Sequence, residues 1–134
     1  MFDLLDMGAS GLQAQRTRLD TIAQNILNAE TIQDAAGRNV PYRRRFVLFA
    51  PGQAGNPAKP GVHVREIQVD QNPFTKRHIP GHPLADVDGN VLFPNVDPIV
   101  EQVNALSATR AYEANVSLIE TSKAMLQASL RLLA

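Results

Sequence analysis

A chain of 134 residues has room for one modest hydrophobic core, because the share of surface a domain can bury falls as it gets smaller. Thirteen basic and thirteen acidic side chains cancel, so no net field draws the protein to nucleic acid or to an anionic membrane. Nowhere do about 18 apolar residues run together as a membrane-spanning helix requires, and the absence of cysteine excludes disulfides and thiolate metal sites while leaving the compartment open.

The first residues carry Asp3 and Asp6 where a secretory signal would carry Lys or Arg, so no cleaved signal peptide is expected. Residues 12–36 and 99–134 contain neither glycine nor helix-interior proline, and all nine prolines fall between Pro41 and Pro98. This distribution predicts a helix, an irregular middle and a second helix. In the first helix Leu5, Leu12, Leu19 and Ile26 recur every seven residues, with Ala9, Ile22, Ala23 and Ala29 beside them, the spacing of a coiled-coil seam. Gly8 and Gly11 each weaken this helix by about 1 kcal/mol relative to Ala, yet they leave a smooth surface for close approach by another helix, which suits contact between subunits.

In the middle, residues 42–49 (YRRRFVLF) and 61–69 (GVHVREIQV) are predicted strands, and the apolar alternation of the second slips phase near Arg65-Glu66, as at a β-bulge. Residues 91–93 are a candidate third strand, residues 52–61 a flexible connection, and Asp88-Gly89 a tight turn leading into Val91. Arg43, Arg44 and Arg45 form the one basic cluster; in a strand they alternate faces, which favours a solvated or acid-paired edge over phosphate binding. His78 and His82 have ligand spacing, but Pro80, Gly81 and Pro83 forbid the helix that would align them. Asp86 to Asn90 begins like a calcium loop and then lacks its required Gly and Glu, so a turn is expected. Walker-type, GxGxxG and GxSxG motifs are all missing, and no catalytic, cofactor or metal residue is assigned.

The second helix is predicted to begin at Asp97, a good N-cap, with Pro98 at its first position. From there Tyr112, Val116, Ile119, Leu126, Leu130 and Leu133 form an apolar stripe, widened by Leu118, Met125 and Leu132. A helix from residue 98 to 133 spans roughly 50 Å, longer than a globule of this size needs. Leucines at its far end would face water in a monomer, and chain ends order poorly unless docked. Periodicity alone leaves two readings open: a seam between subunits, or an ordinary antiparallel pair resting on a β-layer. The predicted organisation is α+β, mainly α, with long N- and C-terminal helices pairing as a coiled coil: a helix and loop over 1–36, a small β-rich domain over 37–96, and a second helix over 97–134.

Three segments in order resemble one family. Residues 9–31 (ASGLQAQRTRLDTIAQNILNAET) resemble the N-terminal signature of the bacterial flagellar rod and hook axial proteins. Residues 80–97 (PGHPLADVDGNVLFPNVD) resemble the proline-rich passage before the C-terminal helix of the proximal rod members, and residues 107–115 (SATRAYEAN) resemble the pattern of that helix. Leu27, Asn90, Gln102 and Thr109 depart from the usual residues, which touches local contacts only.

The resemblance implies a structural, non-enzymatic subunit without cofactor. It would be exported unfolded through the flagellar type III export apparatus and would polymerise through its terminal helices into a rod spanning the periplasm, forming drive shaft and export channel. Implied neighbours are copies of itself and the other proximal and distal rod proteins, with no nucleic acid and no membrane insertion. The residues expected at the assembly interface are Leu5, Gly8, Gly11, Leu12, Leu19, Ile22, Asn25, Ile26 and Asn28 on the first helix. On the second they are Arg110, Tyr112, Asn115, Ile119, Leu126, Leu130 and Leu133. Asn25, Asn28 and Asn115 are candidates to set helix register, or else simple caps. A non-polymerising helical adaptor and a small periplasmic enzyme are the alternative readings.

Overall fold

The computed structural model describes the backbone of residues 2–133 and the side chains of residues 3–132. Helix α1 (Phe2–Leu27) is followed by strands β1 (Arg45–Pro51), β2 (Val62–Val69), β3 (Thr75–His78) and β4 (Asn90–Phe93), and the chain ends in helix α2 (Pro98–Leu133). Asn28 closes α1: its amide and its Nδ2 both donate to the Gln24 carbonyl, at 3.1 and 2.8 Å, and its Oδ1 accepts from Thr31 Oγ1 at 3.2 Å. The expected cap of α2 forms as well, with the Ile99 amide donating to Asp97 Oδ1 at 2.9 Å.

The helices pair antiparallel. Gly8 lies against Ile119, Gly11 against Asn115, and Asn25 bonds Glu101 at the other end. With 36 residues against 26, α2 is longer than α1 by roughly 15 Å at 1.5 Å per residue, and its C-terminal stretch projects past the start of α1. Among the described residues of the helices and strands, α2 packs against α1 alone, whereas α1 also carries β1 and β2.

The middle forms two separate ribbons, not one sheet. In the first, β1 and β2 run antiparallel with Leu48 opposite Glu66 and then Phe49 opposite Val64, so Arg65 is the extra residue of a bulge where the phase slip predicted one. The first strand starts at Arg45 and not at residue 42; where it starts, side chains from outside the ribbon take the amides, Arg44 N donating to Asn95 Oδ1 and Arg45 N to Asn25 Oδ1, both at 2.9 Å. The second ribbon pairs β4 with β3, a strand that the sequence reading missed. Its four residues, Thr-Lys-Arg-His, are all exposed and contain no apolar residue, so no alternation announces them. The Asp88-Gly89 turn is as expected: Asp86 Oδ1 accepts from the amides of Asp88 and Asn90 at 3.0 and 2.8 Å, and Gly89 supplies a φ of +78°.

Burial shifts the seam of α1. Its buried residues include Gly8, Gly11, Ala14, Ile22 and Asn25, while the predicted line Leu5, Leu12, Leu19 and Ile26 is half-buried along one flank, and Ala9 and Ala23 are exposed. The cause is steric: glycines let α2 approach so closely that the axis of contact falls on them and not on the leucines.

Candidate functional site: the helical seam and its polar hub

At the far end of the helix pair the seam is built from small residues. A Cβ added to Gly8 would stand 2.6 Å from Ile119 Cγ1, and one added to Gly11 would stand 2.8 Å from Asn115 Nδ2. A larger residue at either position would have to displace the Ile119 or Asn115 side chain of α2. Moving along α2, Tyr112, Asn115, Ile119 and Leu126 are half-buried, Ala108 and Ser122 buried. Within the single chain, then, these expected interface residues meet one another.

At the other end the seam turns polar. Asn25 and Glu101, both 0% exposed, are the bulkiest fully buried side chains together with Val91 and Pro94. Asn25 uses every hydrogen-bonding capacity it has. Its Nδ2 donates to Glu101 Oε2 at 3.0 Å and to the Arg45 carbonyl at 2.7 Å, and its Oδ1 accepts from the Arg45 amide at 2.9 Å and from Tyr42 Oη at 3.0 Å. Glu101 in turn accepts from Arg44 Nε at 2.7 Å and Asn104 Nδ2 at 3.4 Å. Arg44 also reaches Asp70 Oδ2 at 3.6 Å. One α1 amide thereby ties together α2, the start of β1 and the strand-preceding Tyr42. Burial pushes the Tyr42 hydroxyl above its ordinary pKa, with Arg45 opposing and Glu101 reinforcing, so it keeps the proton it donates to Asn25.

Around the hub Arg43 and Arg44 are paired, while Arg45 is exposed. Arg43 donates to the carbonyls of Asp70 and Asn72 at 3.3 and 3.1 Å and lies 4.2 Å over the Phe74 ring. Asn95 Nδ2 bonds the same two carbonyls, at 3.3 and 3.2 Å. Arg77 of β3 lies 4.2 Å over Phe93 and bridges to Glu30 just past α1 at 3.1 Å. At Asn25 and Glu101, where it is desolvated, such a cluster specifies one arrangement more than it adds net stability.

Of the three asparagines, Asn25 is the centre of the hub, Asn28 a cap, and Asn115 the residue filling the notch over Gly11. Sequence reasoning missed Glu101 and Tyr42 as partners of Asn25, and Arg44 and Asn95 around them. Glu101 reads from sequence as an ordinary first-turn acid favoured by the helix dipole, and only the acid-paired option for the arginines pointed toward it. Arg110 is exposed, Leu130 is exposed at 57%, and the Leu133 side chain lies outside the described residues.

The outer face of α2 is apolar as well. Ile99, Val103 and Leu106 are exposed at 73%, 63% and 53%, and Leu118, Met125 and Leu132 continue the exposed set along the helix. No described helix is long and apolar enough to cross a membrane.

The family described as "Flagella basal body rod protein" matches residues 5–31, which is most of α1, and the one described as "Flagellar basal body rod FlgEFG protein C-terminal" matches residues 87–132, which spans β4 and α2. The flagellar basal-body rod protein FlgC of Escherichia coli O6:H1 is 39% identical over 98% of this chain and 97% of its own length. That of Salmonella typhimurium is 38% identical over the same shares, and that of Bacillus subtilis is 36% identical over 98% of this chain and 97% of its own. With both rod segments seated on the two paired helices and the relatives aligned over 98% of the chain, the chain belongs to the FlgC family of flagellar basal-body rod proteins.

Proposed function

We propose that this protein is a structural, non-enzymatic subunit of the proximal rod that polymerises with copies of itself and with other rod proteins through its terminal helices, with the ribbons outside the helical layer. The observation that carries the reading is the second apolar face of α2. One face of that helix is already used by α1, yet Ile99, Val103, Leu106, Leu118, Met125 and Leu132 remain exposed along its length. Apolar residues repeating over a 36-residue helix on the side away from its own partner fit further helices packed against it. An open helical polymer requires contact faces that differ from one another. Export of the unfolded chain through the flagellar type III apparatus, a location in the rod across the periplasm, and a drive shaft enclosing an export channel complete the reading; family membership supports them.

The test replaces outward residues that α1 does not touch. Val103→Glu with Leu132→Glu should leave the helical circular dichroism of the lone chain within about a tenth of wild type, since surface changes of this kind move stability by only about 0.5 kcal/mol. The same chain should fail to enter isolated basal bodies and should not restore swimming to cells lacking the gene. Normal incorporation of the doubly charged variant would overturn the reading.

A further inference from the structure

We infer that the β3–β4 turn of one subunit docks on a second copy of this chain, seating Val87 in the cleft between the loop after α1 and the end of β2, with Asp86 and Asp88 set against Arg43 and Arg45 of its wall. Docking of this kind rests on the rod-subunit reading above and adds to it a contact made by the ribbons, outside the helical layer.

Val87 is fully exposed, more so than any other large apolar side chain among the described residues. A lone exposed valine is ordinary on a protein surface. This one stands on a turn fastened from several sides: the Asp86 amide donates to the Asn90 carbonyl at 2.9 Å, the Gly89 amide to the Asp86 carbonyl at 3.0 Å, and the Ile79 amide, just past β3, to the Gly89 carbonyl at 2.9 Å. Asp86 Oδ1 takes two further amides. Fixed in this way, the tip gives up little freedom when it docks. Residues 84–90 (LADVDGN) hold two acids and no basic residue, and no cation among the described residues comes within ion-pair distance of either carboxylate.

The cleft has the complementary character. Its volume is about 440 Å³, and its walls include Val40, Pro41, Tyr42 and Val69 together with Arg43 and Arg45. Val40 and Val69 are exposed at 50% and 40%, so the apolar wall is open to a neighbour. Neither Arg43 nor Arg45 has a carboxylate partner among the described residues, while Asp34, the acid in the lining, is held by Arg38 at 2.7 Å. A cleft of about 470 Å³ between α1 and β2 carries Asp6 and no Lys or Arg, so it offers the tip no opposite charge. One of about 330 Å³ beside the hub is smaller and contains Glu101.

An apolar knob between two acids thus matches an apolar hole beside two cations, and the opposite charges fix which way round the two meet. Because Val87 is fully exposed in its own chain, the tip does not occupy its own cleft. Tip and cleft are different surfaces, so each copy keeps one of the two to offer the next.

The chain has no cysteine, so a disulfide between two introduced residues reads the contact directly. Full-length protein carrying Val87→Cys with Val40→Cys, both at exposed positions, is produced in cells lacking the gene, and basal bodies isolated after mild oxidation are resolved without reductant. The double variant should give a ladder of dimers and larger multiples that reductant collapses, and each single variant less than about a tenth of that cross-linking. Incorporated double variant that stays monomeric, or equal cross-linking in a single variant, would overturn the docking. A charge swap tests it independently and decides if the cysteine pair is not incorporated. Asp88→Arg and Arg45→Asp should each shrink the swimming halo by at least half, and the two together should restore most of it; no loss in either single variant, or no recovery in the double, would overturn the docking as well. Wild-type chain that never enters basal bodies sinks the rod-subunit reading itself, whereas entry without the tip–cleft cross-link sinks only the docking.

Discussion

Replacing Asn25 by Asp changes one atom's character at the centre of the hub. The Nδ2 donor, 3.0 Å from Glu101 Oε2 and 2.7 Å from the Arg45 carbonyl, becomes an anionic acceptor facing both. Two charges 3.0 Å apart repel by about 5 kcal/mol at an effective dielectric of about 20. The pair has a cheaper escape, which is to take up one proton. At about pH 7 that costs three units above an ordinary carboxylate pKa of about 4, or about 4 kcal/mol, so protonation wins. Losing the donor to the Arg45 carbonyl adds about 1 kcal/mol. The expected destabilisation of Asn25→Asp is therefore about 5 kcal/mol near pH 7, comparable with the whole stability of a small domain. The sign of its pH dependence follows: the folded pair holds a proton that the unfolded carboxylates release, so relative stability rises as pH falls toward their ordinary pKa, by about 1.4 kcal/mol per unit. Urea unfolding followed by circular dichroism at about pH 7 and about pH 5.5, each against wild type, should find the penalty smaller by about 2 kcal/mol at the lower pH. A variant unfolded at neutral pH should refold on acidification, and adding Glu101→Gln should remove the pH dependence. A penalty below about 1 kcal/mol, or one that is the same at both pH values, would refute the account of the hub.

Gly8→Ala would ordinarily strengthen a helix by about 1 kcal/mol, but here the added Cβ falls 2.6 Å from Ile119 Cγ1, so thermal unfolding should show a net loss of about 1 kcal/mol or more, relieved when Ile119→Ala is added. Asp97→Ala removes the acceptor of the Ile99 amide and should cost about 1 kcal/mol in urea unfolding. The raised Tyr42 pKa gives a stability contribution that is complete below the ordinary tyrosine value of about 10 and is lost as pH rises through the folded value; Tyr42→Phe should abolish that alkaline slope. Asp34 behaves oppositely. The Arg38 amide, chiefly, and its side chain hold the carboxyl below its ordinary value, so its contribution is present above about pH 4 and is lost on acidification, and Asp34→Asn should flatten the acid limb.

The helices were legible because helix signals are local. A proline-free run, an aspartate before Pro98 and a seven-residue repeat each act within a turn or two, and α2 begins where they place it. The bulge was legible for the same reason, since a phase slip at Arg65 is a change of parity along one strand. What joins these elements was not legible. Glu101 and Asn25 are 76 positions apart, and nothing in the neighbourhood of either residue distinguishes a buried partner from a surface acid and a surface amide. The leucine repeat misplaced the seam because apolar size draws the eye to Leu5, Leu12 and Leu19, whereas close approach is governed by what is missing at Gly8 and Gly11. Strand β3 was invisible because it owes its existence to pairing with β4 and to Arg77 stacking on Phe93, not to burial of its own residues.

A seam of glycine, alanine and serine is smooth, and two smooth helices slide past one another by a turn at little cost, since each register buries similar small groups. An apolar core at the hub would not prevent this, because apolar contacts are nearly indifferent to a shift of one residue type for another. The directional bonds of the hub are not indifferent: moving α2 by one turn, about 5.4 Å, breaks the Asn25–Glu101 and Arg44–Glu101 bonds, while the other three bonds on Asn25 hold α1 against Tyr42 and Arg45. The hub therefore sets the axial position of α2 against α1 and, through Arg44 and Arg45, of both against the β1–β2 ribbon. For a subunit whose outer helix face and ribbon must meet neighbours at fixed offsets, register is the property that matters, and small errors in it would accumulate along a polymer. That argument places the polar residues where they are found, at the junction of all three parts, and the smooth seam where α2 is free to adjust to what packs against it.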